Sequence, residues 1–225
     1  MNDYITGIMV AARGVGTTLQ ITCVAVIIGV LVGLIIALCK ISKFKVLRAI
    51  ASVYIDVLRG TPLMVQVLLV YIGLPYFMQQ SLGFEGFKWS SALVVSMAVC
   101  GINSSAYVAE IIRAGLQAID KGQTEAARSL GMSYWQTMRF VVVPQAFRVI
   151  IPALGNEFIT LIKETAILSV ITITDITRSS MLWASSTFIY FPAYIGTAIV
   201  YMILTIPLSK VMNLLERKLA NDVKS

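Results

Sequence analysis

The residues best suited to chemistry lie in the fourth long apolar run of the chain, where charged and hydroxyl side chains recur at helical spacing. These five residues, called the polar arc below, are Asn156, Glu157, Thr160, Lys163 and Glu164. At about 100° per residue their side chains fall within about 120° of one helix face. A charge that faces lipid at mid-bilayer costs about 2.5–3.5 kcal/mol even on insertion scales, so this face must point to protein or water.

Two interpretations of the polar arc remain open. Lys163 could neutralise Glu157 or Glu164 from neighbouring helices, in a network that only fixes helix packing. Desolvation offsets most of the Coulombic gain of a buried ion pair, and intramembrane ionisable groups are usually functional. We therefore interpret the arc as lining the path of a polar solute, or as a gate on that path. Asn103, in the third apolar run, could face the same path.

Composition and hydropathy predict an all-α transmembrane protein that forms a single domain over residues 1–225. Of the 225 residues, 58% are hydrophobic and 13% are charged, which is too apolar for a soluble domain of this length. Five apolar runs have about the length of roughly 20 residues that a helix needs to cross a bilayer. They cover residues 19–39, 60–78, 92–112, 149–173 and 188–208.

The distribution of Lys and Arg predicts the orientation of these spans. Most of the 18 basic residues fall in connections on one side, and only three fall clearly on the other: Arg13, Lys88 and Arg178. Since basic loops stay in the cytoplasm, the N-terminus is predicted outside and the C-terminus inside. The net charge of +7 thus reflects topology, and no basic stripe indicates nucleic-acid binding.

The motifs that would indicate catalysis or metal binding are missing from the chain. It contains no His, and its three cysteines have neither metal-ligand nor disulfide spacing. It has no nucleophile–base motif and no Gly-x-x-x-x-Gly-Lys-Ser/Thr phosphate-binding loop. The chain is therefore predicted to be no enzyme and to bind no metal or cofactor, so any energy from ATP must come from a separate subunit.

Residues 119–144, between the third and fourth spans, are called the hairpin segment below. Its distinctive residues are Glu125, Ala126, Ala127 and Gly131. Glu125 is expected in an early helical turn, where a carboxylate is favourable, and the two alanines are strong helix formers. Gly131 can end this helix in a left-handed turn and Ser133 can cap the next one, which predicts a helical hairpin.

A break in the helical pattern is predicted at the start of the second span. Gly60 and Pro62 weaken the helix there, and Thr61 can satisfy a freed backbone group. Arg59 lies near the inner interface, where its long side chain can reach water. Arg59, Thr61 and Pro62 are candidate gate residues, and the simpler interpretation is a kink beside an ordinary interfacial arginine.

Two spacings predict helix contacts. Gly29 and Gly33 form a small-xxx-small pattern that permits close approach of another helix. Glu110 and Arg113 are three residues apart and are predicted to form a structural pair at the inner end of the third span.

Three stretches together resemble the permeases of polar amino-acid ABC importers. Residues 125–144 match the spacing Glu-Ala-Ala, three residues, Gly, nine residues, Ile, one residue, Leu-Pro, with two valines at the Ile and Leu positions. Residues 59–63 are similar to an Arg-Gly-Thr-Pro-Leu motif of that subfamily. Residues 155–165 are similar to its Gly-Asn…Lys-Asp/Glu-Thr stretch, although Ala166 stands where Ser often follows.

The resemblance implies a five-helix ABC importer permease, type I-like, with a cytoplasmic coupling-helix hairpin, in the bacterial plasma (inner) membrane. It implies import of polar L-amino acids, with basic amino acids, glutamine and cystine left open as substrates. It also implies two copies of an ATPase subunit that hold ATP and Mg²⁺, a second permease in a homodimer or heterodimer, and an extracytoplasmic substrate-binding protein.

On that interpretation the glutamates of the polar arc could meet the substrate ammonium, and its Lys, Asn and Thr the carboxylate. The main alternative is a gradient-driven secondary transporter or channel that acts without an ATPase. Five spans without an internal repeat argue against most such folds.

Overall fold

The structure, a computed structural model, describes residues 2–221, and every regular element in that range is helical. In chain order the α-helices are α1 (Asn2–Ala12), α2 (Val15–Ile41), α3 (Lys45–Gly60), α4 (Leu63–Leu68), α5 (Leu74–Leu82), α6 (Ala92–Gln117), α7 (Lys121–Ser129), α8 (Tyr134–Thr137), α9 (Val143–Glu164), α10 (Ile176–Thr187) and α11 (Tyr190–Asn221). The remaining helical turns are two π-helices, Leu69–Gly73 and Met138–Val142, and a 3₁₀ helix, Thr165–Ile171.

Five helical stretches of the described residues are long and apolar enough to cross a membrane. They are Asn2–Ile41, Leu63–Leu82, Ala92–Gln117, Tyr134–Ile171 and Tyr190–Leu219. Each of them overlaps one of the five runs found by hydropathy, and the helices α3, α7 and α10 lie in the connections between them.

The first stretch extends well before the predicted start of the first span at residue 19. Polar residues near the N-terminus interrupt the apolar run, so hydropathy alone misses α1. This helix packs along α11 at very short range: a Cβ added at Gly7 would lie 2.5 Å from the carbonyl oxygen of Pro192. Close backbone packing therefore extends the first stretch to 40 residues.

The fourth stretch also begins earlier than predicted, at Tyr134 rather than at residue 149. Its helix continues from α8 through the π turn Met138–Val142 into α9 without an intervening loop. The polar residues in the first turns of α9 lower the local mean hydropathy, but they do not end the helix. As a result, the hairpin segment and the polar arc share one continuous helical rod.

Residues 174–187, between the fourth and fifth apolar runs, contain helix α10. Asp175 caps this helix: its Oδ1 accepts a hydrogen bond from the backbone N–H of Arg178 at 2.7 Å. Asp175 is fully buried and also accepts a hydrogen bond from Tyr201 of α11. Burial raises the pKa of the Asp175 carboxyl above its ordinary value. The many Ser and Thr residues of α10 hide it from a hydropathy window, although Asp at the start is a helix signal.

The core lies where α2 crosses α6. A Cβ added at Gly29 would lie 3.0 Å from Oγ of Ser104, and one added at Gly33 would lie 2.8 Å from the carbonyl oxygen of Ser105. The predicted small-xxx-small contact is confirmed. Two apolar clusters flank this crossing, and their buried members in α6 are Val95, Val99, Cys100, Ala106, Val108, Ala109 and Ile112.

Candidate functional site

The predicted break before the second span separates α3 from α4. Thr61 and Pro62 are extended, with φ/ψ angles of −117°/140° and −62°/138°. Proline disfavours the helical region for the residue before it, which places Thr61 in the extended region. Oγ1 of Thr61 donates to the carbonyl of Val57 at 2.8 Å, so the hydroxyl satisfies a backbone group as predicted.

Gln66 is the residue that sequence reasoning missed. Its Nε2 donates to the carbonyl of Leu58 at 2.9 Å and to Oγ1 of Thr61 at 2.8 Å, so it bridges the break from the first turn of α4. Its Oε1 accepts from Nδ2 of Asn103 on α6 at 3.0 Å. An amide one turn after an X-Pro break, inside an apolar run, is the signal that could have identified it.

Asn103 ties α6 to this break. Its side chain is only 3% exposed, and its second, longer contact runs from Nδ2 to the carbonyl of Leu58 at 3.4 Å. Asn103 therefore contacts the break through Gln66 and Leu58, and it also borders the open space beside the break.

A cleft of about 370 Å³ opens where the break faces α6 and the end of α9; it is called the α3–α4 cleft below. Its lining residues are Arg59, Gly60, Thr61, Pro62, Leu63, Asn103, Tyr107, Glu164 and Ile167. The cleft thus brings together the three candidate gate residues and two of the candidate path residues. Arg59 and Glu164, two residues of opposite charge, are both in the lining, which suits a solute that carries both charges.

Arg59 has partners on α6 as well as a place in the cleft. Its guanidinium carbon lies 5.3 Å from the ring centre of Tyr107, and its Nη1 lies 4.0 Å from Oε2 of Glu110. The same Oε2 accepts from Nη2 of Arg113 at 2.6 Å and from its Nε at 3.0 Å, which confirms the predicted pair. Arg59 is therefore more than an interfacial arginine that reaches water.

The structure divides the polar arc among different surroundings. Glu164 lines the α3–α4 cleft, whereas Glu157 turns toward α6 and accepts from Oγ of Ser104 at 2.8 Å. Lys163 is exposed, and no hydrogen bond or ion pair between the described residues involves it.

The remaining two residues of the arc lie away from the cleft. Thr160 is exposed and donates to the carbonyl of Asn156 in its own helix at 3.0 Å. Asn156 borders a second opening of about 600 Å³, which it shares with Asp120 of the hairpin segment and Glu216 of α11.

The hairpin segment has the predicted turn at Gly131. The φ angle of Gly131 is 85°, a left-handed value that favours glycine, and two hydrogen bonds close the end of α7. The N–H of Gly131 donates to the carbonyl of Arg128 at 3.0 Å, and that of Met132 to the carbonyl of Ala127 at 3.2 Å. Ser133 caps α8 in a reciprocal capping box with Gln136.

One detail of the hairpin prediction is wrong. Glu125 lies beyond the first turn of α7, and the carboxylate at the helix start is that of Asp120, whose Oδ1 accepts from the N–H of Gly122 at 2.6 Å. Ala127 is buried, but Glu125 and Ala126 are exposed. The tip carries two large apolar side chains that are almost fully exposed, Leu130 at 85% and Trp135 at 78%.

Comparison with known families gives one match that covers most of the chain. Residues 29–221 match the family described as the binding-protein-dependent transport system inner membrane component. Among similar curated proteins is an arginine transport system permease protein, ArtQ of Bacillus subtilis (strain 168), with 43% identity over 93% of this chain and 92% of the relative. Another is a putative glutamine transport system permease protein, GlnP of Rickettsia typhi, with 39% identity over 94% of each chain.

Solved structures agree with this match. A chain from a structure described as an amino acid ABC transporter with histidines has a TM-score of 0.85 and 50% identity, and the similarity covers 93% of this chain and 94% of that one. A chain of the MetNI methionine ABC transporter has a TM-score of 0.70 at 19% identity, over 94% and 96% of the two chains, which is a likeness of fold.

Proposed function

Because the chain belongs to the binding-protein-dependent transport inner membrane components, and there to the permeases of polar amino-acid ABC transporters, we propose that it imports a polar L-amino acid through the α3–α4 cleft. As a permease subunit it leaves ATP hydrolysis to a separate subunit, and it works with ATPase and binding-protein partners. The sequence-based predictions of family, helical fold and permease function are confirmed. The alternative, a gradient-driven carrier that acts without an ATPase, is therefore not favoured.

One observation carries the proposal: opposite charges face one small polar cleft at a break in the helices. Arg59 can bind the carboxylate of an amino acid through two parallel N–H donors. Glu164, on the α9 side of the cleft, can bind the ammonium or a basic side chain. Transporters often build substrate sites at such breaks, because unwound backbone is tolerated where it lines a cavity.

The substrate proposed first is a cationic amino acid such as arginine, and glutamine is the second candidate. The arginine permease and the putative glutamine permease named above support these two choices. The cleft supports the first choice because its lining includes a carboxylate, that of Glu164, which can meet a cationic side chain.

We assign ATPase docking to the tip of the hairpin segment. Leu130 and Trp135 are exposed apolar side chains in a polar connection, which suits insertion into a groove of a partner. In this proposal two ATPase subunits, which hold ATP and Mg²⁺, contact the hairpins of two permeases in a homodimer or heterodimer. The N-terminus then lies outside and the C-terminus in the cytoplasm, as the distribution of basic residues indicates.

The mechanism follows from the continuous helix between the hairpin segment and the cleft. ATP binding closes the ATPase pair and displaces the hairpins, and α9, which ends at Glu164, carries that displacement to the cleft. Access then alternates between the two sides through a shift in population between states that bind the ATPases differently. An extracytoplasmic binding protein delivers the amino acid to the outer side.

Uptake by the reconstituted complex of permease, ATPase and binding protein tests the site. Glu164→Gln is expected to lower uptake at low arginine concentration at least about tenfold, equivalent to about 1.4 kcal/mol. Glu85→Gln in an exposed outer connection is the matched control for the charge. Wild-type uptake by an assembled Glu164→Gln complex would remove the cleft from the path.

A further inference from the structure

The carboxylate of Glu110 lies just outside the α3–α4 cleft and is fixed there by its own helix. Two N–H groups of Arg113 donate to Oε2 of Glu110. Nη1 of Arg113 also donates to Oε1 of Gln117 at the end of α6. Glu110 therefore keeps its position whether or not Arg59 is near. The cleft itself does not include Glu110, so a solute bound there touches Arg59 and not this carboxylate.

Arg59 is shared between these two surroundings. Arg59 is one of the residues that line the cleft, and its guanidinium lies 4.0 Å from Oε2 of Glu110 and over the ring of Tyr107. The contact with Glu110 is longer than the 2.6 Å contact between Glu110 and Arg113. It is a loose pair, and the side chain of Arg59 is 44% exposed, so a better partner can draw the guanidinium away.

A guanidinium that is partly out of water is more stable with an anionic partner than without one, because desolvation makes an unpaired charge unfavourable. A bound amino-acid carboxylate is one such partner. After release, Glu110 and Tyr107 supply the other. A guanidinium with an alternative partner releases its ligand more readily, since the empty site is no longer penalised by an unpaired charge.

We propose that Glu110 is a positioning residue that acts through Arg59: it competes with the substrate carboxylate for the guanidinium, so that the site binds the amino acid less tightly and releases it faster. This inference rests on the proposed function of the cleft. It changes the role of the Glu110–Arg113 pair, which the sequence alone indicates to be structural. In the inferred role, Arg113 limits how strongly Glu110 can compete.

Two substitutions are predicted to change affinity in opposite directions. Glu110→Gln removes the competitor, so the Kd of L-arginine for the purified permease–ATPase complex, measured without binding protein, is expected to fall about two- to fivefold. Maximal uptake by the full complex is expected to fall as well, because release is slower. Arg113→Gln leaves Glu110 free to pair with Arg59, so the Kd is expected to rise by a similar factor.

A double-substitution cycle separates this role from a structural one. In an Arg59→Gln background, Glu110→Gln is expected to leave the Kd unchanged, since its effect passes through Arg59. Equal effects in both backgrounds, or a Kd that does not fall on Glu110→Gln, would overturn the inference. If the Glu110→Gln complex does not assemble, the opposite shift of the Kd expected for Arg113→Gln decides between the two roles.

The same measurements tell failure of the inference from failure of the proposed function. If the Kd of the wild-type complex is unaffected by Arg59→Gln, or no binding occurs, the cleft is not the site and both proposals fall. If Arg59→Gln weakens binding but neither Glu110→Gln nor Arg113→Gln shifts the Kd, only the inference about Glu110 fails.

Discussion

At the scale of single residues, Gln66 explains how the chain can break between α3 and α4 without leaving polar groups unpaired. Its amide serves the carbonyl of Leu58, the hydroxyl of Thr61 and the amide of Asn103 at the same time. Specific hydrogen bonds therefore stabilise the break, and the open space beside it can be lined by backbone and by charged side chains.

Gln66→Leu is predicted to destabilise the protein by about 1–3 kcal/mol, because it removes the hydrogen bonds to Leu58 and Thr61 and leaves the buried amide of Asn103 without its 3.0 Å partner. The measurement is thermal unfolding of the purified complex in detergent. Gln20→Leu is the matched control, since Gln20 is exposed on α2. An unfolding temperature equal to that of the control would contradict the assigned bridging role.

The sequence identifies the members of the site more readily than their arrangement. Residue types alone predict the break at Arg59, Thr61 and Pro62 and single out Asn103 and Glu164 as polar residues in apolar runs. Nothing in their spacing shows that they share one cleft, because the way α3, α6 and α9 pack together determines which residues line it. Helical periodicity places two glutamates on similar directions of α9, but only packing directs one of them to Ser104 and the other to the cleft.

At the scale of elements, the crossing of α2 and α6 supports the site, because α6 carries Asn103 and Tyr107. Gly33→Val is predicted to disrupt this crossing: the added Cβ alone would lie 2.8 Å from backbone and side-chain atoms of Ser105 and Val108. Overpacking of this kind typically costs about 1–3 kcal/mol.

Gly16→Val provides the matched control for that substitution, since no atom lies within 4 Å of a Cβ added at Gly16 in the same helix. The yield of folded complex and its unfolding temperature are the measurements. If Gly33→Val behaves like Gly16→Val, the crossing does not support the site as described.

Element boundaries are the least predictable part of the fold. Hydropathy finds the apolar middle of each span, but it misses α1 and α10, whose stability comes from close contacts such as Gly7 with Pro192 and from the cap at Asp175. The hairpin is easier to predict, because Gly131 and Ser133 act locally on the backbone. Local signals are visible in sequence, whereas contacts between distant helices are not.

At the scale of the whole molecule, the permease works with a separate ATPase subunit, and together they link ATP hydrolysis to solute movement. The hairpin tip lies at one end of a continuous helix whose other end, Glu164, borders the cleft. In the proposed mechanism, a displacement at the tip reaches the proposed site through this helix.

Glu125→Lys on the exposed face of α7 is predicted to abolish or strongly weaken ATPase association, while membrane insertion stays normal. Co-purification of the ATPase with the tagged permease is the measurement. Glu85→Lys, in an exposed connection distant in sequence from Glu125, is the charge-matched control. A fully assembled and active Glu125→Lys complex would contradict docking at this segment.

The central claim is that the α3–α4 cleft of this chain binds the transported amino acid. Equilibrium binding of radiolabelled L-arginine to the permease–ATPase complex, in the absence of any binding protein, tests it most directly. We predict saturable binding to the wild-type complex and a loss of affinity of at least about tenfold in Arg59→Gln. Equal binding by the two complexes, or no binding by the wild type while uptake with the binding protein is normal, would contradict the claim.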